Sequence, residues 1–175
     1  PRPGYPYGYS PMAGETLAAS LGRRSHPDLK ESYAIGPVDP PTHRFADGDE
    51  EFAWSPNIWP SLALPGLRAA WEEYYRAMAD LSARLLRTMA VGLGLRADWF
   101  DGMIDRHTSA MRALNYPPAT DMGDLLDDQL GASAHTDYGT LTILLADPVQ
   151  GGLQVQDPDG RWHDVAAPWG TFVVN

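Results

Sequence analysis

Eleven of the sixteen prolines in this chain fall within residues 1–66, and that crowding limits the fold more than any other feature. Proline fixes φ and has no N–H to give to a helix or a ladder, so the segment is restricted to loops and short extended pieces. Its front, Pro1-Arg2-Pro3-Gly4-Tyr5-Pro6-Tyr7-Gly8-Tyr9, interleaves Tyr with Pro and Gly. The aromatics Tyr5, Tyr7, Tyr9, Tyr33, Phe45, Phe52, Trp54 and Trp59 are too many for a solvated linker. Region 1–66 is therefore expected to be irregular, to pack across something, and to form no compact unit by itself. With 17 Gly and 16 Pro in 175 residues, turns are frequent and a simple helical bundle is excluded.

Region 67–105 reads as helical support. Pro65 suits a first helical turn, and Leu67, Trp71, Tyr74, Met78, Leu81, Leu85 and Met89 recur at spacings of three and four, a core-facing stripe. Glu72–Arg76 and Asp80–Arg84 are i,i+4 pairs on the polar side. Gly92 and Gly94 end the run, and a short helix is expected at about Asp98–Asp105. From there the period changes to two. Alternation from Ala110 to Tyr116 predicts a strand that Pro117-Pro118 stops. Further strands are expected at Ala132–His135, Thr140–Leu145, Leu153–Val155, Trp162–Val165 and Thr171–Val174. Such spacing suggests an antiparallel sandwich or barrel over 109–175.

The chain is long enough for one domain with a sizeable core. Thirteen basic residues against 23 acidic ones give a net charge of −10, and Lys30 is the only lysine. Without a basic cluster, nucleic-acid binding is not expected. There is no cysteine, which excludes disulfides, thiolate zinc sites and cysteine nucleophiles. No apolar run has the length of a membrane span and no signal-peptide pattern stands at the front, so a cytoplasmic location is expected.

The residues that could do chemistry are few. Of His26, His43, His107, His135 and His163, two stand in a His-x-Asp pattern, whose side chains would share one face of a strand. In an Asp-rich chain the bare pattern arises by chance, so context decides. At His26-Pro27-Asp28, proline breaks any strand, and Asp28 with Glu31 three residues later reads as the capped start of a helix. At His135-Thr136-Asp137 the pair ends a small-residue stretch, Gly131–Ala134. An imidazole with a carboxylate and no thiolate suits non-haem iron; a plain His–Asp hydrogen bond is the equal alternative. His163 is expected to be exposed after a hairpin turn. Asp124, Asp127 and Asp128 lack the spacing of a calcium loop and read as a solvated acidic stretch.

The run His135-Thr136-Asp137-Tyr138-Gly139-Thr140-Leu141-Thr142-Ile143-Leu144 resembles the metal-binding strand of the isopenicillin N synthase-like 2-oxoglutarate/Fe(II) oxygenases. The likeness extends to Gly151–Val155, to Gly160–Val165 and to Leu114-Asn115-Tyr116-Pro117-Pro118. It also reaches Lys30-Glu31-Ser32-Tyr33-Ala34-Ile35-Gly36 and Asn57-Ile58-Trp59-Pro60, in the family's order. The resemblance implies a mainly β fold with supporting α: a double-stranded β-helix (jelly-roll) core, partly represented, backed by the long helix. It further implies Fe(II), 2-oxoglutarate and O2, with succinate and CO2 as co-products of oxidising a small organic molecule by hydroxylation, desaturation or ring closure. His135 and Asp137 correspond to the first two iron ligands, and Tyr116 to the tyrosine that contacts the oxoglutarate carboxylate. Arg112 and Leu114 share a strand face with Tyr116 and would look into the pocket with Tyr138. A guanidinium there could clasp a carboxylate bidentately; a rim arginine paired with one of the acids is the alternative. No further catalytic residue is implied.

The family's second histidine and its Arg-x-Ser clamp have no counterpart among these 175 residues. The chain is therefore expected to be a fragment of a longer oxygenase, a single domain over 1–175. Competing readings are an oxidase of the isopenicillin N synthase type that needs no oxoglutarate, a non-catalytic jelly-roll binding module, and a cupin-like enzyme of another reaction type.

Overall fold

The computed structural model describes the chain except for residues 1–3, 18–21, 23–24, 40, 43–44, 46, 119, 121–125, 127–128 and 148–150. His43 and the acidic residues Asp124, Asp127 and Asp128 lie outside the described residues. The chain divides into two compact units, 1–136 and 137–175.

The first unit is built on a three-stranded antiparallel sheet in the order β1 (Gly8–Ser10), β2 (Glu31–Ile35), β3 (Met111–Asn115). Two of its strands and a short helix, α1 (Gly48–Ala53), come from the proline-rich region, which is thus more ordered than its composition suggests. Strands survive there because the prolines stand between them. Tyr5, Tyr7 and Tyr33 donate their hydroxyls to the carbonyls of Pro56, Ala53 and Ile58, so the aromatics staple this region to itself. Asp47 caps α1 by accepting from the N–H groups of Asp49 and Glu50.

The helix of region 67–105 is α2 (Leu67–Gly92), the longest element. Tyr33 on β2 meets it edge-to-face, its ring centroid 5.0 Å from that of Trp71. The buried stripe, however, holds Tyr75, Leu86 and Ala90, while Tyr74 and Met89 are partly exposed. The expected Leu67, Trp71, Met78, Leu81 and Leu85 are half-buried, so the covered face includes most of the expected stripe, with its most buried side chains one residue further along. Tyr75 is drawn inward because its hydroxyl reaches the Ser109 carbonyl at 2.8 Å, and Ala90 because it is small enough to be covered completely. Arg76 lies 3.7 Å from Glu72 but makes its closer bonds, 2.8 and 3.0 Å, to Asp39. The expected helix at 98–105 is reduced to a single 3-10 turn, Asp101–Met103.

Alternation gives the sheet two faces. Tyr33 of β2, with Met111 and Ala113 of β3, stands on the side of Trp71. Ser32 and Ala34 stand on the other side with their register partners Leu114 and Arg112. Gly36, just past β2, passes beneath the Tyr7 ring so closely that a Cβ would sit 2.0 Å from Cζ, which is why no larger residue fits. The Asn57 side chain clamps this turn, accepting from Gly36 N–H at 2.8 Å and donating to the carbonyls of Gly36 and Pro37 at 3.2 Å.

The second unit holds two antiparallel pairs, β4 (Ile143–Leu144) with β7 (Val173–Val174) and β5 (Gln154–Gln156) with β6 (Trp162–Asp164). The β5–β6 hairpin turns at Asp157–Gly160, where Gly160 takes φ +83°. These strands are shorter than the alternation suggests, and Ala132–His135 forms no strand: its bonds go to side chains and to a loop. Among the described residues no helix is long and apolar enough to cross a membrane.

Candidate metal centre

The stretch leading to His135 is held by the other His-x-Asp segment. Leu29 N–H donates to the Leu130 carbonyl at 2.9 Å and the Gln129 amide to the Pro27 carbonyl at 3.2 Å. Between them, Asp28 is buried, only 1% exposed, and opens no helix: the chain runs on into β2. Its Oδ1 accepts from Ser133 N–H at 2.8 Å, and its Oδ2 accepts from Leu17 N–H at 2.9 Å and from Lys30 Nζ at 3.2 Å. Lys30 is 3% exposed and lies 3.6 Å from Glu15. Burial alone pushes the Asp28 carboxyl up, but the hydrogen bonds from Leu17, Ser133 and Lys30 outweigh it and hold the group below the usual carboxylate range.

His135 is tied to the same place. Its Nδ1 lies 2.7 Å from the Ser133 carbonyl oxygen. A carbonyl can only accept, so Nδ1 carries the proton, and a neutral imidazole then has its lone pair on Nε2. That tautomer, with the second nitrogen donating to a backbone carbonyl, is how metal-ligating histidines are usually held. In the second unit, Asp137 Oδ2 accepts from Asn175 Nδ2 at 3.2 Å. Asn175 is itself fixed, its main chain exchanging bonds of 2.8 and 3.2 Å with Thr142 beside the β4–β7 pair. Imidazole nitrogen and carboxylate oxygen without thiolate fit Fe(II). Among the described residues no group of three or more side chains could hold a metal ion.

The other expected pocket residues fall in different settings. The Tyr116 ring lies against Gly131, where a Cβ would stand 3.1 Å from Cδ1. Partial burial, then the charges of Asp28 and Glu15, push its phenol up, with Arg112 opposing. Arg112 does grip a carboxylate with two nitrogens, at 2.9 and 3.2 Å, and that carboxylate is Glu15. Leu114 is 38% and Tyr138 87% exposed. His163 is exposed, as expected, and pairs with Asp157 at 2.8 Å. His107 stacks on Tyr75 and His26 is on the surface.

Sequence reasoning missed Asp28, Lys30 and Asn175. The available signal was the lone lysine of the chain two residues from an aspartate, alternating with Ser32 and Ala34 on one strand face.

Residues 107–175 match the model of the 2OG-Fe(II) oxygenase superfamily. A proline hydroxylase of Petromyces alliaceus is 35% identical to the chain over 177 residues, covering 99% of it. Over residues 107–175 the chain is similar to the 2OG-Fe(II) oxygenase superfamily. A 2-oxoglutarate-dependent dioxygenase of Monascus ruber is 38% identical over 176 residues, covering 96% of this chain. The chain spans about half the length of these curated relatives, 51% of each. Among solved structures, a full-length Neurospora crassa protein in complex with alpha-KG and thymine superposes with a TM-score of 0.72 at 32% identity, over 99% of this chain and 51% of that one.

Proposed function

We propose that this chain is part of a non-haem Fe(II)/2-oxoglutarate-dependent dioxygenase that oxidises a small organic molecule, with His135 and Asp137 as two of the iron ligands. The observation that carries this reading is the 2.7 Å approach of His135 Nδ1 to the Ser133 carbonyl, which calls for the proton on Nδ1 and so suits ligation through Nε2. Fe(II) held by His135 and Asp137 would supply the oxidising power by coupling O2 to the decarboxylation of 2-oxoglutarate, with succinate and CO2 as co-products. The chain's own residues orient and hold: Asn175 steadies Asp137, and Tyr116 stands beside Gly131, two residues before Ser133. Arg112, with Leu114 on the same face, serves the carboxylate of 2-oxoglutarate in this reading, after Glu15 yields the guanidinium; Tyr138 borders the substrate. The family motifs around His135 support an isopenicillin N synthase-like subfamily and a jelly-roll core begun by residues 109–175. The half-length match to relatives supports a longer parent enzyme, so the intact mass of the natural polypeptide should exceed 19.2 kDa.

The test is anaerobic titration of the full-length protein with Fe(II) and 2-oxoglutarate. The expected result is one Fe(II) per chain, a visible charge-transfer band that needs both additions, and succinate once O2 is admitted. His135→Ala should weaken Fe(II) binding more than roughly 100-fold, beyond the range of outer-shell changes. Stoichiometric Fe(II) binding that survives this substitution would overturn the assignment of His135.

A further inference from the structure

We propose that the buried Asp28–Lys30 pair is the positioning device for His135: Asp28 pins the main chain at Ser133, and the Ser133 carbonyl sets the tautomer and aim of the imidazole. The inference rests on His135 being a metal ligand.

The segment carrying His135 belongs to no strand, so no ladder holds it. Its tethers are Leu130 O to Leu29 N–H, the Ser25–Ser133 hydroxyl contact at 3.3 Å, and Ser133 N–H to Asp28 Oδ1 at 2.8 Å. The Asp28 bond reaches across 105 residues of sequence and sits directly beside the carbonyl that His135 uses. Asp28 cannot drift, because Leu17 N–H and Lys30 Nζ hold its other oxygen, and both charged side chains are 2% exposed or less. A well-packed apolar pair serves stability as well as a buried ion pair does, or better. What an apolar pair cannot do is accept the Ser133 N–H. The charge matters too: the Leu17, Lys30 and Ser133 partners of the Asp28 carboxylate are all donors, so an amide at position 28 would turn its own NH2 toward donors at one side or the other.

The experiment uses the full-length protein, Co(II) alone as probe, and three variants: Asp28→Asn, the double variant Asp28→Asn/Lys30→Met, and His135→Ala. In Asp28→Asn, with a cooperative thermal transition retained, the Co(II) dissociation constant should rise roughly 10- to 100-fold, as outer-shell losses do. The visible Co(II) absorption bands should shift as well, because the imidazole aim changes. If Asp28→Asn does not fold, the double variant, which leaves no buried charge unpaired at this spot, is read in the same way. A lowered melting temperature with wild-type Co(II) affinity and spectrum makes Asp28 purely structural and overturns the proposal. His135→Ala separates the two failures. Should it bind Co(II) like wild type, the metal reading itself falls; should it lose Co(II) while the Asp28 variants do not, only the positioning role falls.

Discussion

Residues 26–28 and 135–137 share the pattern His-x-Asp, and the fold uses them in opposite ways. In the first, His26 is on the surface while Asp28 is buried beside Lys30, its carboxylate filled by donors from Leu17, Ser133 and Lys30. In the second, the histidine is the tied residue, through Ser133, and Asp137 is exposed with Asn175 at one oxygen. One segment supports; the other, in the proposed function, presents. The difference is set by what surrounds each pair, since Ser133 joins them, its N–H on Asp28 and its carbonyl on His135. A metal-ligand pattern is thus informative only together with the groups that aim it.

The contrast breaks most sharply when each aspartate is truncated. Asp28→Ala leaves Lys30 buried with Glu15 at 3.6 Å as its remaining partner, and costs about 3 kcal/mol, the low end of what breaking a buried pair costs. Asp137→Ala, at an exposed position, should change unfolding free energy by about 0.5 kcal/mol or less while Fe(II) binding is lost. Urea unfolding of the metal-free proteins checks both. Equal destabilisation by the two would erase the distinction drawn between them.

Why a family likeness is visible at the second pair while the setting of the first is hidden follows from sequence distance. The motif from His135 to Leu144 is contiguous, so its family likeness is visible in one stretch. The environment of Asp28 and Lys30 is assembled from Glu15, Leu17 and Ser133, and Asp28 with Glu31 imitates a helix cap locally. Nothing between residues 26 and 31 announces that a backbone N–H far along the chain needs an acceptor. Local signals succeeded where local physics decides: the α2 run ends at Gly92 as its glycines suggest, β3 occupies 111–115, and the hairpin turns at Asp157–Gly160. They missed the most buried positions of α2, because one of these depends on Ser109 reaching Tyr75. They failed also on Gly131–His135, whose small residues serve close approach to Tyr116 and Asp28 instead of a ladder.

The same division appears in two glycines. Gly36 follows the supporting strand and is constrained by a neighbour, the Tyr7 ring; Gly139 follows the presenting pair, has φ +92°, and has open space where a Cβ would go. Gly36→Ala should cost about 1–3 kcal/mol through overpacking. Much of that loss should return in the background of Tyr7→Ala, which removes the ring. Gly139→Ala should cost about 1 kcal/mol through its backbone conformation, with no partner substitution that relieves it. Thermal unfolding of the four single and double variants measures the coupling. An additive Gly36/Tyr7 pair would mean that the close approach does not determine this position.

Acid should test the supporting Asp28 more gently. The folded Asp28 carboxyl lies below its unfolded value of about 3.9. Its contribution to stability is therefore complete above the unfolded value and is lost as pH falls through the folded one, because the unfolded chain then takes up the proton first. Glu31, Asp39, Asp98 and Asp157 are lowered as well, so the wild-type acid slope is a sum over several carboxylates. The difference between wild type and Asp28→Asn isolates one of them. Denaturant unfolding between pH 6 and pH 3 should show curves of constant separation down to about pH 4 and converging below it. A separation that stays constant through pH 3 would mean that Asp28 gains nothing from its charge, and that the three donors around it would be served as well by the protonated acid.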